Sequence, residues 1–214
     1  MKNFSIIIPI YNESESIFKL IKEINNEFKS NVPELIIVDD GSNDDFAEKS
    51  NQLKANNVIL QKHKENLGKC RAMLTGVSKA TNNLICIMDG DGQNPPYEIK
   101  NLIKFWRSLS TKEKKKFLIC GNRKQRQDTL PKRLSSRVAN TVRKLLLNDD
   151  CNDTACALKV FKRSDYLKIK YFRNMHRFLP ALFKMNGCKI FNVQVDDRLR
   201  KAGISKYSFN NRFW

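Results

Sequence analysis

The sequence is short of acidic residues and of histidine, and it has no long apolar run. Its 214 residues include 40 Lys and Arg against 22 Asp and Glu, a net charge of +18, and only two histidines. Such an excess of positive charge predicts an anionic partner, which is a nucleic acid, a phosphorylated ligand or an acidic membrane surface. Plain solubility is the alternative explanation of the charge.

No apolar run reaches the length of a membrane span, and the apolar part of the N-terminus is too short for a secretion signal. The six cysteines form no Cys-x-x-Cys pair. This spacing fits reduced, mostly buried thiols better than disulfides or a zinc site. We therefore expect a cytoplasmic protein, and its 41% hydrophobic residues predict a folded core rather than disorder.

Short apolar runs alternate with amphipathic segments along the chain. This alternation predicts an α/β fold, and the runs are apolar throughout, as in parallel strands covered by helices on both faces. We predict strands at residues 4–10, 34–42, 57–62, 84–89, 115–124, 156–161 and 188–195. We predict helices at residues 15–28, 43–55, 68–80, 97–109, 131–148 and 176–187.

Polar side chains follow three of the early strands at the point where each strand ends. An Asp-Gly turn explains any one of these clusters alone. However, the carboxyl ends of parallel strands meet at one edge of a sheet, where ligands bind. Three clusters together therefore predict a binding site at that edge. The side chains are Tyr11, Asn12, Glu13, Asp39, Asp40, Ser42, Asp89, Asp91 and Gln93.

Two carboxylates, Asp89 and Asp91, stand on either side of a single glycine after the fourth strand. Gly90 allows both to face one point, and two like charges there repel unless a cation lies between them. Carboxylate oxygens suit Mg²⁺ or Mn²⁺, which often bridge to substrate phosphates. Since Gln93 adds a neutral oxygen, the pattern predicts a Mg²⁺ or Mn²⁺ site formed by Asp89, Asp91 and Gln93.

Seven stretches of the sequence resemble the family 2 glycosyltransferases, especially their dolichyl-phosphate mannosyltransferase and polyprenyl-phosphate glycosyltransferase branch. In the family's order they are "IIIPIYNE", "LIIVDDGSND", "NLGKCRAMLTGVSKA", "IMDGDGQNPP", "GNRK", "DTACALKVFKR" and "RKAGISKYS". The resemblance implies one GT-A (Rossmann-like) domain with a mostly parallel central sheet over residues 1–214. Its nucleotide-sugar half would be residues 1–125 and its acceptor and lipid-facing half residues 126–214.

The same resemblance implies an inverting transfer from a nucleotide-diphosphate sugar to a polyprenyl phosphate, with a divalent metal on the diphosphate. The implied donor-binding residues are Pro9, Tyr11, Glu13, Asp39 and Asp89. The implied catalytic residues are Asp91, Arg123 and Arg200. The residues expected to face the acceptor phosphate are Arg137, Arg198, Arg200, Ser205 and Lys206.

The acceptor decides whether the reaction needs a general base. A phosphate oxygen is already anionic near neutral pH and needs none, whereas a saccharide hydroxyl does. In the second case Asp153 would be the catalytic base, and a loop cap is its alternative role. We therefore keep transfer to a hydroxyl acceptor in cell-envelope glycan synthesis as a second hypothesis.

Two further features leave their alternatives open. The predicted helix at residues 131–148 carries Arg137 on a basic face, which fits a core helix or an interfacial helix equally. A basic nucleic-acid-binding module is a third hypothesis, but the basic residues are dispersed and lack interleaved aromatics. We expect an anionic membrane surface rather than nucleic acid as a partner, with the chain peripheral on the cytoplasmic face.

Overall fold

Seven strands form one sheet in the computed structural model, which describes residues 3–53, 57–124 and 147–199. Along the chain they are β1 (Ser5–Ile10), β2 (Glu34–Asp39), β3 (Val58–Lys62), β4 (Leu84–Ile87), β5 (Phe117–Arg123), β6 (Lys159–Lys162) and β7 (Lys189–Val195). In space their order is β3-β2-β1-β4-β6-β5-β7. All neighbouring pairs are parallel except those of β6, which runs antiparallel to both β4 and β5. The expected α/β fold with a mostly parallel sheet is confirmed.

Helices cover both faces of this sheet. They are α1 (Ser14–Phe28), α2 (Phe46–Lys49), α3 (Lys69–Lys79), α4 (Tyr97–Ser108), α5 (Arg163–Tyr166) and α6 (Leu179–Met185). Short 3₁₀ turns lie at Lys29–Asn31, Ser50–Leu53, Glu113–Lys115 and Met175–Arg177. Alternate residues of a strand point to opposite faces. Accordingly, Ile6 and Ile8 pack with the core around α1 and α4, whereas Ile7 packs with the core around α3 and α6.

The segment at residues 43–55 differs from its predicted long helix. Over its described residues, 43–53, the helical part is the single turn α2, followed by the 3₁₀ turn Ser50–Leu53. The carboxylate of Asp44 accepts hydrogen bonds from the backbone N–H groups of Ser14 (2.9 Å) and Phe46 (3.2 Å). These bonds hold the chain before α2 against the start of α1, so the helix begins late.

Three other expectations concern cysteines, membrane spans and the basic segment. All six cysteines are free and buried, as predicted. Within the described ranges, no helix is both long and apolar enough to cross a membrane. The predicted basic helix at residues 131–148 lies outside the described residues except for its last two positions.

Candidate active site

The loops after β1 and β2 are joined by reciprocal hydrogen bonds at the carboxyl edge of the sheet. The backbone N–H of Asn12 donates to Ser42 Oγ (2.9 Å), and the N–H of Asn43 donates to Asn12 Oδ1 (2.9 Å). Asn12 has a positive φ of 52°, a conformation that asparagine tolerates better than most residues. The structure therefore brings the first two polar clusters together.

Asp39, at the end of β2, has one satisfied and one unsatisfied carboxylate oxygen. Its side chain is buried, and Oδ1 accepts the backbone N–H of Ser42 at 2.8 Å. Within the described residues, Oδ2 has no hydrogen-bond partner. A buried polar atom without a partner costs free energy. This oxygen is therefore suited to accept a hydrogen bond from a ligand.

Asp40, the next residue, has a scaffolding role. Its carboxylate accepts the backbone N–H groups of Leu67 (3.0 Å) and Gly68 (2.8 Å) and contacts His63 Nδ1 at 2.7 Å. Gly41 has a φ of 73°, and a Cβ there would lie 2.5 Å from the backbone carbon of Glu65. The two carboxylates of "VDDGS" thus have different roles. Asp40 fixes the loop that leads into α3, whereas Asp39 keeps one oxygen without a described partner.

The loop after β4 turns back on itself. Gly92 has a φ of 73°, and the backbone N–H of Gln93 donates to Asp91 Oδ1 at 3.0 Å. Ser16 Oγ, near the start of α1, donates to the carbonyl of Gly90 at 2.9 Å. The third polar cluster is thereby tied to the helix that follows the first, so all three clusters lie at one edge.

Lys69, the first residue of α3, forms an ion pair with Asp89. The Lys69 Nζ to Asp89 Oδ1 distance is 2.5 Å. Burial alone would raise the pKa of Asp89, but the charge and hydrogen bond of Lys69 more than offset this, so the pKa lies below its ordinary value. Sequence reasoning missed Lys69, although it lies in "NLGKC" directly after Gly68, whose φ of 89° marks a sharp entry into the helix.

Arg198 contacts the loop after β4 through both its backbone and its side chain. Its backbone N–H donates to the carbonyl of Gln93 at 3.0 Å. Its guanidinium donates to the carbonyl of Gly92 and pairs with Glu23 on α1. A cleft beside it is lined by Glu15, Ser16, Lys19, Leu20, Glu23, Asp91, Gly92 and Arg198. Arg198 was predicted to face the acceptor phosphate, and here its guanidinium braces the Asp91 loop.

Arg123, at the end of β5, is bound to carboxylates. Its Nε and a terminal nitrogen donate to the two oxygens of Asp153 at 2.7 and 3.1 Å, and Asp197 lies 3.5 Å away. Burial lowers the pKa of Arg123, but Asp153 more than compensates, so this pKa lies above its ordinary value. Two residues predicted as separate catalytic groups therefore form one bidentate ion pair.

Cys70 and His176 link α3 to the 3₁₀ turn at Met175–Arg177. Cys70 Sγ lies 2.9 Å from His176 Nδ1, and the backbone N–H of His176 donates to the same sulfur. Burial lowers the pKa of His176 to about 3 and raises that of Cys70. This neutral pair places the segment around His176 next to Lys69 and hence to Asp89.

The remaining predicted residues divide between the core and the part of the chain that is not described. Pro9 and Glu13 are buried and Tyr11 is half-buried, all at the end of β1. Four positions predicted for the acceptor side lie outside the described residues, namely Arg137, Arg200, Ser205 and Lys206.

The oxygen atoms predicted as ligands at the β4 loop are of the chemical type that Mg²⁺ and Mn²⁺ bind. Within residues 3–53, 57–124 and 147–199, no three His, Cys, Asp or Glu side chains gather closely enough to hold a metal by themselves. Mg²⁺ needs no such cluster, since it is commonly held by one or two carboxylates together with substrate phosphates. In the structure, the carboxylate of Asp89 is paired with the ammonium of Lys69.

Comparison with solved structures defines the class of fold. Glucosyl-3-phosphoglycerate synthase from Mycobacterium tuberculosis, crystallised with Mn²⁺, UDP and glucosyl-3-phosphoglycerate, matches with a TM-score of 0.71 at 17% identity. The same enzyme with Mg²⁺ and UDP gives 0.70 at 16% identity. Each match covers 95% of this chain and 73% of the other. The chain therefore has the GT-A fold of glycosyltransferases.

Sequence comparison identifies the family. The profile described as Glycosyl transferase family 2 matches residues 5–199, so the chain belongs to this family. It is 31% identical over 219 residues to the undecaprenyl-phosphate 4-deoxy-4-formamido-L-arabinose transferase of Photorhabdus laumondii, and 30% identical over 215 residues to that of Salmonella choleraesuis. Each match covers 98% of this chain but 64% of the relative.

Proposed function

We propose that the chain moves a sugar from a nucleotide-diphosphate sugar to a polyprenyl phosphate, with inversion at the anomeric carbon. The relatives named above are undecaprenyl-phosphate sugar transferases. In this assignment residues 1–125 bind the donor and residues 126–214 face the acceptor. The chain lies peripherally on the cytoplasmic face of the membrane, where its net charge of +18 matches phosphate and anionic lipid.

The ion pair between Arg123 and Asp153 is the observation that favours a phosphate acceptor. Asp153 is the residue that would act as base toward a hydroxyl, and both of its oxygens accept hydrogen bonds from one guanidinium. Hydrogen bonds and a positive charge stabilise the ionised carboxylate and so weaken it as a proton acceptor. A phosphate acceptor, already anionic near neutral pH, requires no such base.

The donor is assigned to the edge where the three polar clusters meet. Asp39 offers a buried acceptor oxygen to the nucleoside, alongside Pro9, Tyr11 and Glu13. Asp89, Asp91 and Gln93 would hold Mg²⁺ or Mn²⁺ on the diphosphate, and the metal would offset the charge of the leaving group. Lys69 contributes a positive charge at the same place.

We expect Asp39→Asn to raise the donor dissociation constant by roughly 10- to 100-fold, the range expected for one hydrogen bond to a charged group. Asparagine keeps an oxygen for the bond to Ser42 but replaces the unpartnered oxygen with an amide NH₂. Isothermal titration calorimetry with the donor measures the effect. Asp45→Asn is the matched control because it removes an exposed carboxylate from the same loop. Equal donor affinity in wild type and Asp39→Asn would move the nucleoside pocket elsewhere.

The proposed function is tested in two steps. A panel of UDP- and GDP-linked sugars with Mn²⁺ is first screened for thermal stabilisation, since a ligand that binds the folded state raises the melting temperature. The stabilising sugar, radiolabelled, is then offered with either polyprenyl phosphate or a free oligosaccharide. We expect label in the lipid fraction. Label only in the saccharide would overturn the phosphate acceptor and make Asp153 the catalytic base.

A further inference from the structure

The segment at residues 167–178 exposes aromatic and basic side chains and contains no acidic residue of its own; Asp165, just before it, lies 3.8 Å from the ammonium of Lys168. Its sequence, "LKIKYFRNMHRF", contains four Lys or Arg residues and no Asp or Glu. Tyr171, Phe172 and Phe178 are 39%, 41% and 39% exposed. Apolar side chains that are exposed singly are common, whereas a group of them exposed together often marks an interaction site.

Two of these aromatic rings lie side by side, and the third has a cation over its face. The rings of Phe172 and Phe178 lie 6.3 Å apart, and the guanidinium of Arg71 lies over the ring of Tyr171 at 5.2 Å. The four basic side chains of the segment, Lys168, Lys170, Arg173 and Arg177, are all exposed. We name residues 167–178 the aromatic-basic segment.

The aromatic-basic segment is adjacent to the candidate active site. His176 lies within it and contacts Cys70, whose neighbour Lys69 is paired with Asp89. Two side-chain contacts, made by the adjacent residues Cys70 and Lys69 of α3, thus connect the exposed segment to the predicted metal loop. A partner that covers this segment therefore lies close to the candidate active site.

We infer that the aromatic-basic segment docks on the surface of a bilayer that contains anionic lipid. Aromatic rings are favoured at the boundary between headgroups and acyl chains, and Lys and Arg next to them are attracted to negative headgroups. A second copy of the chain is a poorer occupant, because a two-fold contact would bring four cations against four others. This inference rests on the proposed function in one respect, because the proposed function supplies the lipid-linked substrate that a site docked on a bilayer would use.

Vesicle flotation of the whole 214-residue chain tests the inference, with phosphatidylcholine vesicles made with or without phosphatidylglycerol. We expect binding to the anionic vesicles, weakening as salt rises because exposed charges are screened. Arg173→Gln combined with Arg177→Gln is expected to lower the partition coefficient roughly 30-fold, from the typical contribution of two surface cations. Lys104→Gln combined with Lys112→Gln is the matched control, since both lysines are exposed elsewhere.

A second set of variants tests the aromatic contribution separately. The triple replacement of Tyr171, Phe172 and Phe178 by Ser is expected to lower vesicle binding at least tenfold, whereas Leu60→Ser, an exposed position on β3, leaves it unchanged. Donor affinity by calorimetry is expected to stay at the wild-type value in every variant. Unaltered vesicle binding by both segment variants would overturn the inference. Loss of a wild-type dimer with unchanged vesicle binding would overturn it too and assign the surface to a second copy.

Transfer to a short-chain, water-soluble polyprenyl phosphate without vesicles separates this inference from the proposed function. If the wild type binds anionic vesicles through the segment but transfers no sugar to this acceptor, the proposed function fails and the docking surface stands. If the wild type transfers sugar and the segment variants still bind vesicles normally, the docking surface fails and the function stands.

Discussion

Replacement of Asp91 by Asn is expected to lower transfer at saturating donor by roughly 10²- to 10³-fold, the usual effect of losing one preorganised charge-stabilising group. Asparagine retains the oxygen that accepts the backbone N–H of Gln93, so the turn at Gly92 survives. The substitution removes only the negative charge that would hold the divalent cation on the diphosphate. Steady-state rates over a Mn²⁺ titration measure the loss, and the melting temperature checks the fold.

Glu15→Gln provides the matched control for this prediction. Glu15 lines the same cleft as Asp91 but lies on α1, outside the β4 loop. Its neutralisation changes the charge of the cleft by the same amount, and we expect turnover close to that of the wild type. A wild-type enzyme that keeps full turnover in EDTA, or an Asp91→Asn variant as active as the control, would refute the metal assignment.

The edge that carries the candidate site was predictable from the sequence. Each early strand is an apolar run that stops at a polar residue, and in a parallel sheet these stops fall on one edge. Asp39 and Asp91 could therefore be placed near each other without a structure. The sequence could not predict that one oxygen of Asp39 lacks a hydrogen-bond partner, because this depends on which neighbours the folded loops bring within hydrogen-bond distance.

Contacts between distant parts of the chain could not be predicted from the sequence. The run at β6 gives no sign of its direction, yet it lies antiparallel between β4 and β5 and sets the position of Asp153 opposite Arg123. Cys70 and His176 are 106 positions apart, and no local pattern pairs them. Charge pairing of this kind is decided by tertiary packing. The family resemblance therefore implied a catalytic role for Arg123 without its partners, whereas the structure pairs its side chain with two carboxylates.

Arg123→Ala is expected to lower the free energy of unfolding by about 3–5 kcal/mol, the cost of breaking a buried ion pair by removal of one partner. Arg123 has a side chain only 15% exposed, and it neutralises Asp153 and Asp197, both 5% exposed. Its loss leaves two buried carboxylates without their shared cation. Urea unfolding measures the change, with the slope of the transition checked for two-state behaviour.

Two further variants separate the stability role of Arg123 from its implied role in catalysis. Arg123→Lys keeps the charge but cannot form the bidentate contact, so it is expected to fall between wild type and Arg123→Ala. Arg123→Met combined with Asp153→Leu removes both charges and is expected to recover part of the lost stability, because no unpaired carboxylate remains at position 153. The contrary result would be an Arg123→Ala variant that no longer transfers sugar but whose free energy of unfolding lies within about 1 kcal/mol of the wild-type value. A loss of that size is the most that an exposed ion pair usually contributes. That result would favour the catalytic role that the family resemblance implies for Arg123 over a structural one.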